Sequence, residues 1–427
     1  MLLFSIFSIW VAVAEAIIIM IGAIRFLSRQ NKQTIHIPEN MDHYPTVTVM
    51  VPAHNEELVI VATAERILQL NYPVDKLQII IVADNCTDST AARLYELKEK
   101  KEYQGRDFQI IERKGSGGKS GALNEALKDT VGEWVCIFDA DAAPERNSLL
   151  FLVQKALENP KEYGAVFGRN KARNRGQNFL SRCINLELIT AQRVYHTGLW
   201  ELFKLGTIPG TNFIVRTDLM KDIGGWDVEA ITEDTAVSFE ILTRGWLIAL
   251  APQAEAYQQE PEDLDIYIKQ RQRWAKGNYR VIIDNIHHLF RPTSWRIKLF
   301  ILYYAASYFW FMLAIIVSDI IFVINLVYLI ISMFNPSVVS PFQFAGDVYI
   351  YLVISWALMY YIYVLQINLA LSSDIGQSNT RNFVLSCVSY FTYAQLFLLI
   401  SVKAFYSLLV DIFTGRKTSW YKTKRFG

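Results

Sequence analysis

A chain of 427 residues with 52% hydrophobic and 13% aromatic residues has room for two ordinary domains and is too apolar for a purely soluble enzyme. Its formal charge of +1 is too balanced for a nucleic-acid binder, so no nucleic-acid partner is expected. Cys86, Cys136, Cys183 and Cys387 are scattered, without the spacing of a disulfide framework or a zinc pair, and are read as reduced thiols.

The first element, residues 2–24, is an apolar run long enough to cross a bilayer, with one acid, Glu15, inside it. It lacks the basic start and short apolar core of a cleaved leader. Arg25, Arg29 and Lys32 follow directly, so the positive-inside rule places the amino terminus outside and residue 30 onward in the cytosol. Residues 1–27 are therefore expected to form a transmembrane anchor. Next, "TVTVMVPA" (46–53), "LQIIIVAD" (77–84), "FQIIER" (108–113) and "EWVCIFDAD" (133–141) read as strands. Helical patterns at 57–70, 87–101 and 119–129 separate them. Near-continuous apolar strands alternating with helices predict a parallel sheet covered on both faces. The polar residues gather where the strands end, which is where such sheets bind ligands.

Four such ends, "AHNEE", "DNCTDST", "GSGGKSGALN" and "DADAAPE", follow the four strands in register. "GSGGKSG" (115–121) suggests a phosphate cradle, but a Walker loop needs glycine at position 113 and Arg113 stands there. Lys119 and the glycines still suit a diphosphate, with lysine as a point charge and backbone free to approach. Asp139 and Asp141 flank Ala140 just as a buried run ends. Two carboxylates that close suit Mg²⁺ or Mn²⁺ bridging to substrate phosphates. Farther on, Thr232, Glu233 and Asp234 open an amphipathic helix. In "DLDIYIKQRQRWAKGNYR", Gln270, Arg273 and Trp274 share one helical face, an amide, a guanidinium and an indole suited to phosphate oxygens and the face of a sugar. Apolar runs return at 300–334, 348–371 and about 383–413.

In order, "VPAHNEE", "ADNCTDST", "GGKSGALN", "DAD", "TED" and "QRQRW" make the stretch 45–280 resemble the processive membrane-bound family-2 glycosyltransferases, among them the cellulose, hyaluronan, chitin-oligosaccharide and poly-N-acetylglucosamine synthases. The resemblance implies an α/β GT-A (Rossmann-like) cytosolic domain over residues 45–280 and an α-helical transmembrane bundle. It implies a UDP-sugar donor, with glucose favoured and N-acetylglucosamine next, a growing polysaccharide acceptor and a Mg²⁺ or Mn²⁺ cofactor. Residues Val51 to Glu56, with Pro52, His54 and Glu56, would line the uridine pocket, and Asp84 would contact the uracil. Lys119 would reach the nucleotide, and Asp139 and Asp141 would hold the sugar diphosphate, Asp141 with its metal. Asp234 would be the base, with Glu233 beside it. Gln270 and Arg273 would grip the diphosphate, Trp274 would lie under the acceptor sugar, and Gly210 and Thr211 of "PGTNF" would belong to an acceptor loop.

Inverting transfer needs one carboxylate base and a cation for the leaving group, so Asp234 and the metal suffice. The resemblance thus implies a β-linked exopolysaccharide made and exported at the plasma membrane, with accessory export proteins as partners beside the bilayer. The rival reading is a non-processive transferase adding one sugar to a lipid carrier. After 281–299, expected as an interfacial helix, residues 300–413 are expected to form transmembrane and interfacial helices, with an even number of crossings. A cytosolic tail, 414–427, ends in "TSWYKTKRFG", which resembles the terminal gate of hyaluronan synthases at Trp420, Thr423 and Arg425.

Overall fold

A computed structural model describes residues 1–32, 41, 43–342 and 346–415. Helix α1 (Leu2–Lys32) leads into strand β1 (Val47–Ala53), and the expected alternation follows as α2 (Ile60–Leu68), β2 (Leu77–Asp84), α3 (Thr90–Lys98), β3 (Asp107–Arg113), α4 (Gly118–Lys128) and β4 (Trp134–Ile137). Every residue of β2 is buried, as two-sided cover requires. Ile60, Thr63, Ala64, Ile67 and Leu68 of α2 face that core at helical spacing. Strand β4 stops at Ile137, four residues before its expected end. There the chain turns, the Asp139 amide donating to Thr211 Oγ1 (2.9 Å) and the Ala142 amide to the Asp139 carbonyl (3.0 Å).

The sheet is not wholly parallel. Beyond β4 the chain adds β5 (Ala143–Pro144), α5 (Ser148–Glu158), β6 (Tyr163–Ala172), α6 (Phe179–Thr190), α7 (Thr197–Phe203), β7 (Phe213–Arg216), α8 (Thr217–Ile223), α9 (Glu233–Thr243), β8 (Leu247–Gln258) and α10 (Leu264–Asn285). The strand order is β3-β2-β1-β4-β7-β6-β8-β5. The strands from β3 to β4 pair in parallel, whereas β7 runs antiparallel to both β4 and β6. Helical crossovers account for the parallel half, and β7 enters the sheet from the loop that carries Gly210 to Asn212.

Residues 281–299 do not form one helix, because α10 ends at Asn285, a 3₁₀ turn spans Ile286–Leu289 and α11 (Trp295–Ala305) begins beyond it. A π-turn, Ala306–Trp310, joins α11 to α12 (Phe311–Phe334), giving 40 continuous helical residues through Ser318 and Asp319. Then come α13 (Asp347–Ser372), α14 (Thr380–Ser389) and α15 (Gln395–Thr414). Among the described residues, four helical stretches are long and apolar enough to cross a membrane: Leu2–Gln30, Trp295–Phe334, Asp347–Ser372 and Gln395–Thr414. Three of them meet the α/β domain at one end. Arg29 pairs with Glu201 (2.8 Å), Phe239 packs on Phe300 (4.8 Å between ring centroids), and Arg169 pairs with Asp374 (2.9 Å) just past α13. The seam between α1 and α7 is tight because Gly22 and Gly198 lie in it. A Cβ on Gly22 would sit 2.7 Å from the Gly198 carbonyl oxygen. Helix α15 lies beside α10, with Lys276 Nζ reaching Ser407 Oγ (3.0 Å) and Asp411 (2.5 Å) and Phe405 packing on Tyr279.

Candidate active site

At the carboxyl ends of β1, β2 and β4 lies a cavity of about 540 Å³. Its walls bring together Pro52, His54, Glu56, Asp84, Lys119, Asp139, Asp141, Gly210, Thr211, Glu233, Asp234, Gln270, Arg273 and Trp274, from segments up to 222 residues apart (274 − 52). Trp420, Thr423 and Arg425 lie outside the described residues.

Lys119 is the electrostatic centre of the cavity. It leaves the first turn of α4 and reaches Asp139 Oδ1 (2.7 Å), Glu233 Oε1 (3.1 Å) and the carbonyl oxygen of Gly210 (2.8 Å). Burial works against its charge, but Asp139 and Glu233 hold its pKa above the usual lysine range. Desolvation tends to raise the carboxyl of half-buried Glu233, yet Lys119 keeps it below the usual range. Asp234 behaves differently. Burial, and then the neighbouring Glu233, push its carboxyl up to about 6. Such a group is ionised at neutral pH and basic enough to take a proton from a hydroxyl.

The loop before β7 holds these groups at their spacing. Gly210 has φ +81, and a Cβ there would meet Asp234 Oδ2 at 2.9 Å, so a side chain is excluded by both conformation and space. Thr211, expected among the acceptor contacts, is buried, and its hydroxyl accepts the Asp139 amide. Asn212, also at positive φ, donates to the carbonyls of Arg169 and Ala254.

Where β1 and β2 end, Asp84 Oδ1 pairs with Arg113 (2.5 Å), and its backbone carbonyl bonds His54 Nδ1 (2.7 Å). The arginine that breaks the Walker spacing also donates to the Ser116 carbonyl (2.5 Å), and so ties the glycine loop to β2. On the opposite side, Gln270 Oε1, Gln259 Oε1, Thr232 Oγ1 and Arg273 Nε are buried without partners among the described residues, and all four residues line this cavity. Buried polar atoms are normally satisfied. Their concentration here marks a wall made for a polar ligand.

The donor set fits a divalent cation shared with that ligand. Among the described residues no group of three or more His, Cys, Asp or Glu could hold a metal alone. Asp139 and Asp141, both at the cavity wall, are the carboxylates that would hold Mg²⁺ or Mn²⁺ beside phosphate oxygens.

Other lining residues carried weaker sequence signals. Asn278 lies one turn beyond Trp274 on α10, a spacing that helical periodicity discloses. Asn170 and Gln258 sit on β6 and β8, and Gln192 follows α6; none stands in a motif. A second cavity, of about 630 Å³, opens on Trp274 and Asn278 and continues between α1, α6, α10, α12 and α13. Glu15, Tyr195, Tyr303, Ser307, Tyr308, Phe311, Asp319 and Gln366 line it. The two cavities share Ala191, Trp274 and Asn278.

Comparison with known proteins agrees with this geometry. Residues 45–277 match the family model "Glycosyltransferase like family 2". The "Probable glycosyltransferase YdaM" of Bacillus subtilis (strain 168) is 34% identical over 422 residues, 98% of this chain and 96% of the relative. The "Poly-beta-1,6-N-acetyl-D-glucosamine synthase" of Staphylococcus aureus (strain COL) is 30% identical over 244 residues, 57% of each chain. Among solved structures, the mannosyltransferase PcManGT from Pyrobaculum calidifontis, in complex with GDP-Man and Mn²⁺, superposes with a TM-score of 0.59 at 20% identity. It covers 84% of this chain and 98% of its own, and it shares the GT-A fold. The order of motifs, the mixed sheet and the matched residues lead to one assignment: the chain belongs to glycosyltransferase family 2.

Proposed function

We propose that this glycosyltransferase is a processive inverting enzyme that polymerises a UDP-hexose and passes the β-linked product across the membrane. The carrying observation is the meeting of two cavities at Trp274 and Asn278, one rich in charge and the other flanked by apolar helices. A donor bound in the first would present its sugar to an acceptor stacked on Trp274, and the lengthened chain would continue into the second. The similarity to the poly-β-1,6-N-acetyl-D-glucosamine synthase moves the preferred sugar from glucose to N-acetylglucosamine.

Asp234 takes the proton of the acceptor hydroxyl as it attacks the anomeric carbon from the side opposite the nucleotide, inverting an α-linked donor. Lys119, Arg273 and Gln270 face the diphosphate and supply charge and hydrogen bonds to the departing UDP. Asp139 and Asp141 would hold Mg²⁺ or Mn²⁺, whose presence would further neutralise the leaving group. His54, Pro52, Glu56 and Asp84 are assigned to the nucleoside. We place three helices across the bilayer: α1, the α11–α12 rod and α13. Helix α14, at ten residues, is about 15 Å long and too short to cross. Helix α15 is long enough, but its packing beside the polar α10 favours the interface. The amino terminus is then outside, the catalytic domain is cytosolic, and the tail with Trp420, Thr423 and Arg425 is on the donor's side.

The test is purified protein given UDP-N-acetylglucosamine or UDP-glucose with Mg²⁺ or Mn²⁺, recording UDP release and product length. Long polymer supports the reading. Products of one or two sugars on a lipid decide for a lipid-carrier transferase. Asp141→Asn, or EDTA on the wild type, is expected to abolish UDP release, with added metal restoring the wild type alone.

A further inference from the structure

Arg271 lies between Gln270 and Arg273, two of the three residues of the "QRQRW" motif already assigned, and is not among the residues lining the donor cavity. It lines the second cavity instead. Its side chain is 14% exposed, and its guanidinium carbon sits 4.3 Å from the centroid of the Trp274 ring, one helical turn along α10. NH1 reaches Glu187 Oε1 on α6 at 2.9 Å. The other carboxylate oxygen of Glu187 accepts from the Tyr393 hydroxyl, which itself accepts from Tyr267 (2.9 Å). Two helices and the turn before α15 thus hold one guanidinium against one indole.

The way the guanidinium is used is informative. An arginine kept only for its ion pair would engage the carboxylate through two nitrogens, since the fork matches it. Here only NH1 does so, while Nε and NH2 are buried without partners among the described residues. The guanidinium lies over two rings, Trp274 at 4.3 Å and Tyr267 at 5.3 Å from the centroids, and the indole is the nearer. Trp274 is half-buried, with Arg271 over it and both cavities at its edges. A cation over an aromatic ring is attracted by the electron-rich face.

We propose that Arg271, clamped by Glu187, is the positioning residue for Trp274 and fixes the plane on which the acceptor sugar stacks. This rests on the reading of Trp274 as the acceptor platform. Lysine could keep the pair with Glu187 but has no planar face to stack. Lysine rescue therefore separates a stacking role from a structural ion pair.

Full-length enzyme in detergent is assayed with the donor that it turns over and a soluble β-linked tetrasaccharide of the same sugar. The acceptor KM, the donor KM and kcat are measured separately. Arg271→Met is expected to raise the acceptor KM about 2- to 30-fold, the range of a cation–π contact, with a much smaller change in donor KM. Glu187→Gln is expected to give a smaller rise of the same kind. Arg271→Lys, which keeps a cation by the ring but no planar face, is expected to raise the acceptor KM above wild type by less than Arg271→Met, and it keeps the test open should the methionine variant not fold. A wild-type acceptor KM in Arg271→Lys overturns the proposal. Trp274→Ala distinguishes the two levels: if it leaves the acceptor KM unchanged, the platform reading fails. If it raises the KM while the Arg271 variants do not, the positioning role alone fails.

Discussion

Glu233 and Asp234 are adjacent and both half-buried, yet their proton affinities diverge, because Lys119 is bonded to the first. A base with a pKa of about 6 loses its working form as the pH falls through that value, so turnover should decline on the acid side near pH 6. Glu233→Gln removes the like charge and leaves Lys119 more attractive to Asp234. Both changes lower the Asp234 pKa, so the acid limb of the kcat/KM profile is expected to move to lower pH. A limb that stays in place, or moves up, assigns the titration to another group. Asp234→Asn should retain UDP binding and lose about 10²–10⁴-fold in transfer. The acids of the site were legible in the sequence because each follows a strand or opens a helix, where polar residues need a reason. Arg113 was legible only as a departure from a Walker loop. Its pairing with Asp84 depends on β2 and β3 being neighbours, which no local pattern states.

The elements differ in how openly they declare themselves. The first four strands are short apolar runs with helices between, and they fall within a few residues of expectation. Strands β6 and β8 were missed because their far halves, "GRNKA" and "PQAEAYQ", carry polar residues that reach the cavity or its supports: Arg169 and Lys171 pair with Glu255. A functional edge hid the strand. Helix α10 shows the reverse case, since its functional face follows the helical repeat and Gln270, Arg273, Trp274 and Asn278 all reach the cavity. The seam of α1 and α7 tests the packing of anchor against enzyme. Gly22→Val would drive a branched side chain into a backbone carbonyl 2.7 Å away and separate the helices. A cost of about 1–3 kcal/mol is expected, read as a lower melting temperature in detergent with the kcat/KM of the surviving fraction less affected. Unchanged melting would mean that the seam yields freely.

For the whole molecule, the arrangement of helix ends is the main constraint, since α1, the α11–α12 rod and α13 each touch the α/β domain at one end. With three crossings the chain ends on the domain's side. A cysteine replacing Gly427 should therefore resist a membrane-impermeant thiol reagent in intact cells and react once the cells are opened. Labelling of intact cells would add α15 as a fourth crossing and remove the tail from the donor site. The rod from Trp295 to Phe334 has a further consequence. Its 40 residues span about 60 Å at the α-helical rise, roughly twice the hydrocarbon core of about 30 Å. Its inner end packs against Phe239 of α9, the helix that begins with Glu233 and Asp234, and its middle, Tyr303 to Phe311, walls the second cavity. A rigid rod longer than the bilayer accommodates thickness by tilting. Tilt at the outer leaflet would be felt at the cavity wall and at the middle of α9. The enzyme should consequently respond to acyl-chain length. In vesicles of otherwise identical phosphatidylcholines, turnover and product length should pass through an optimum as the chains lengthen, and a flat response would show that the π-turn at Ala306–Trp310 absorbs the tilt.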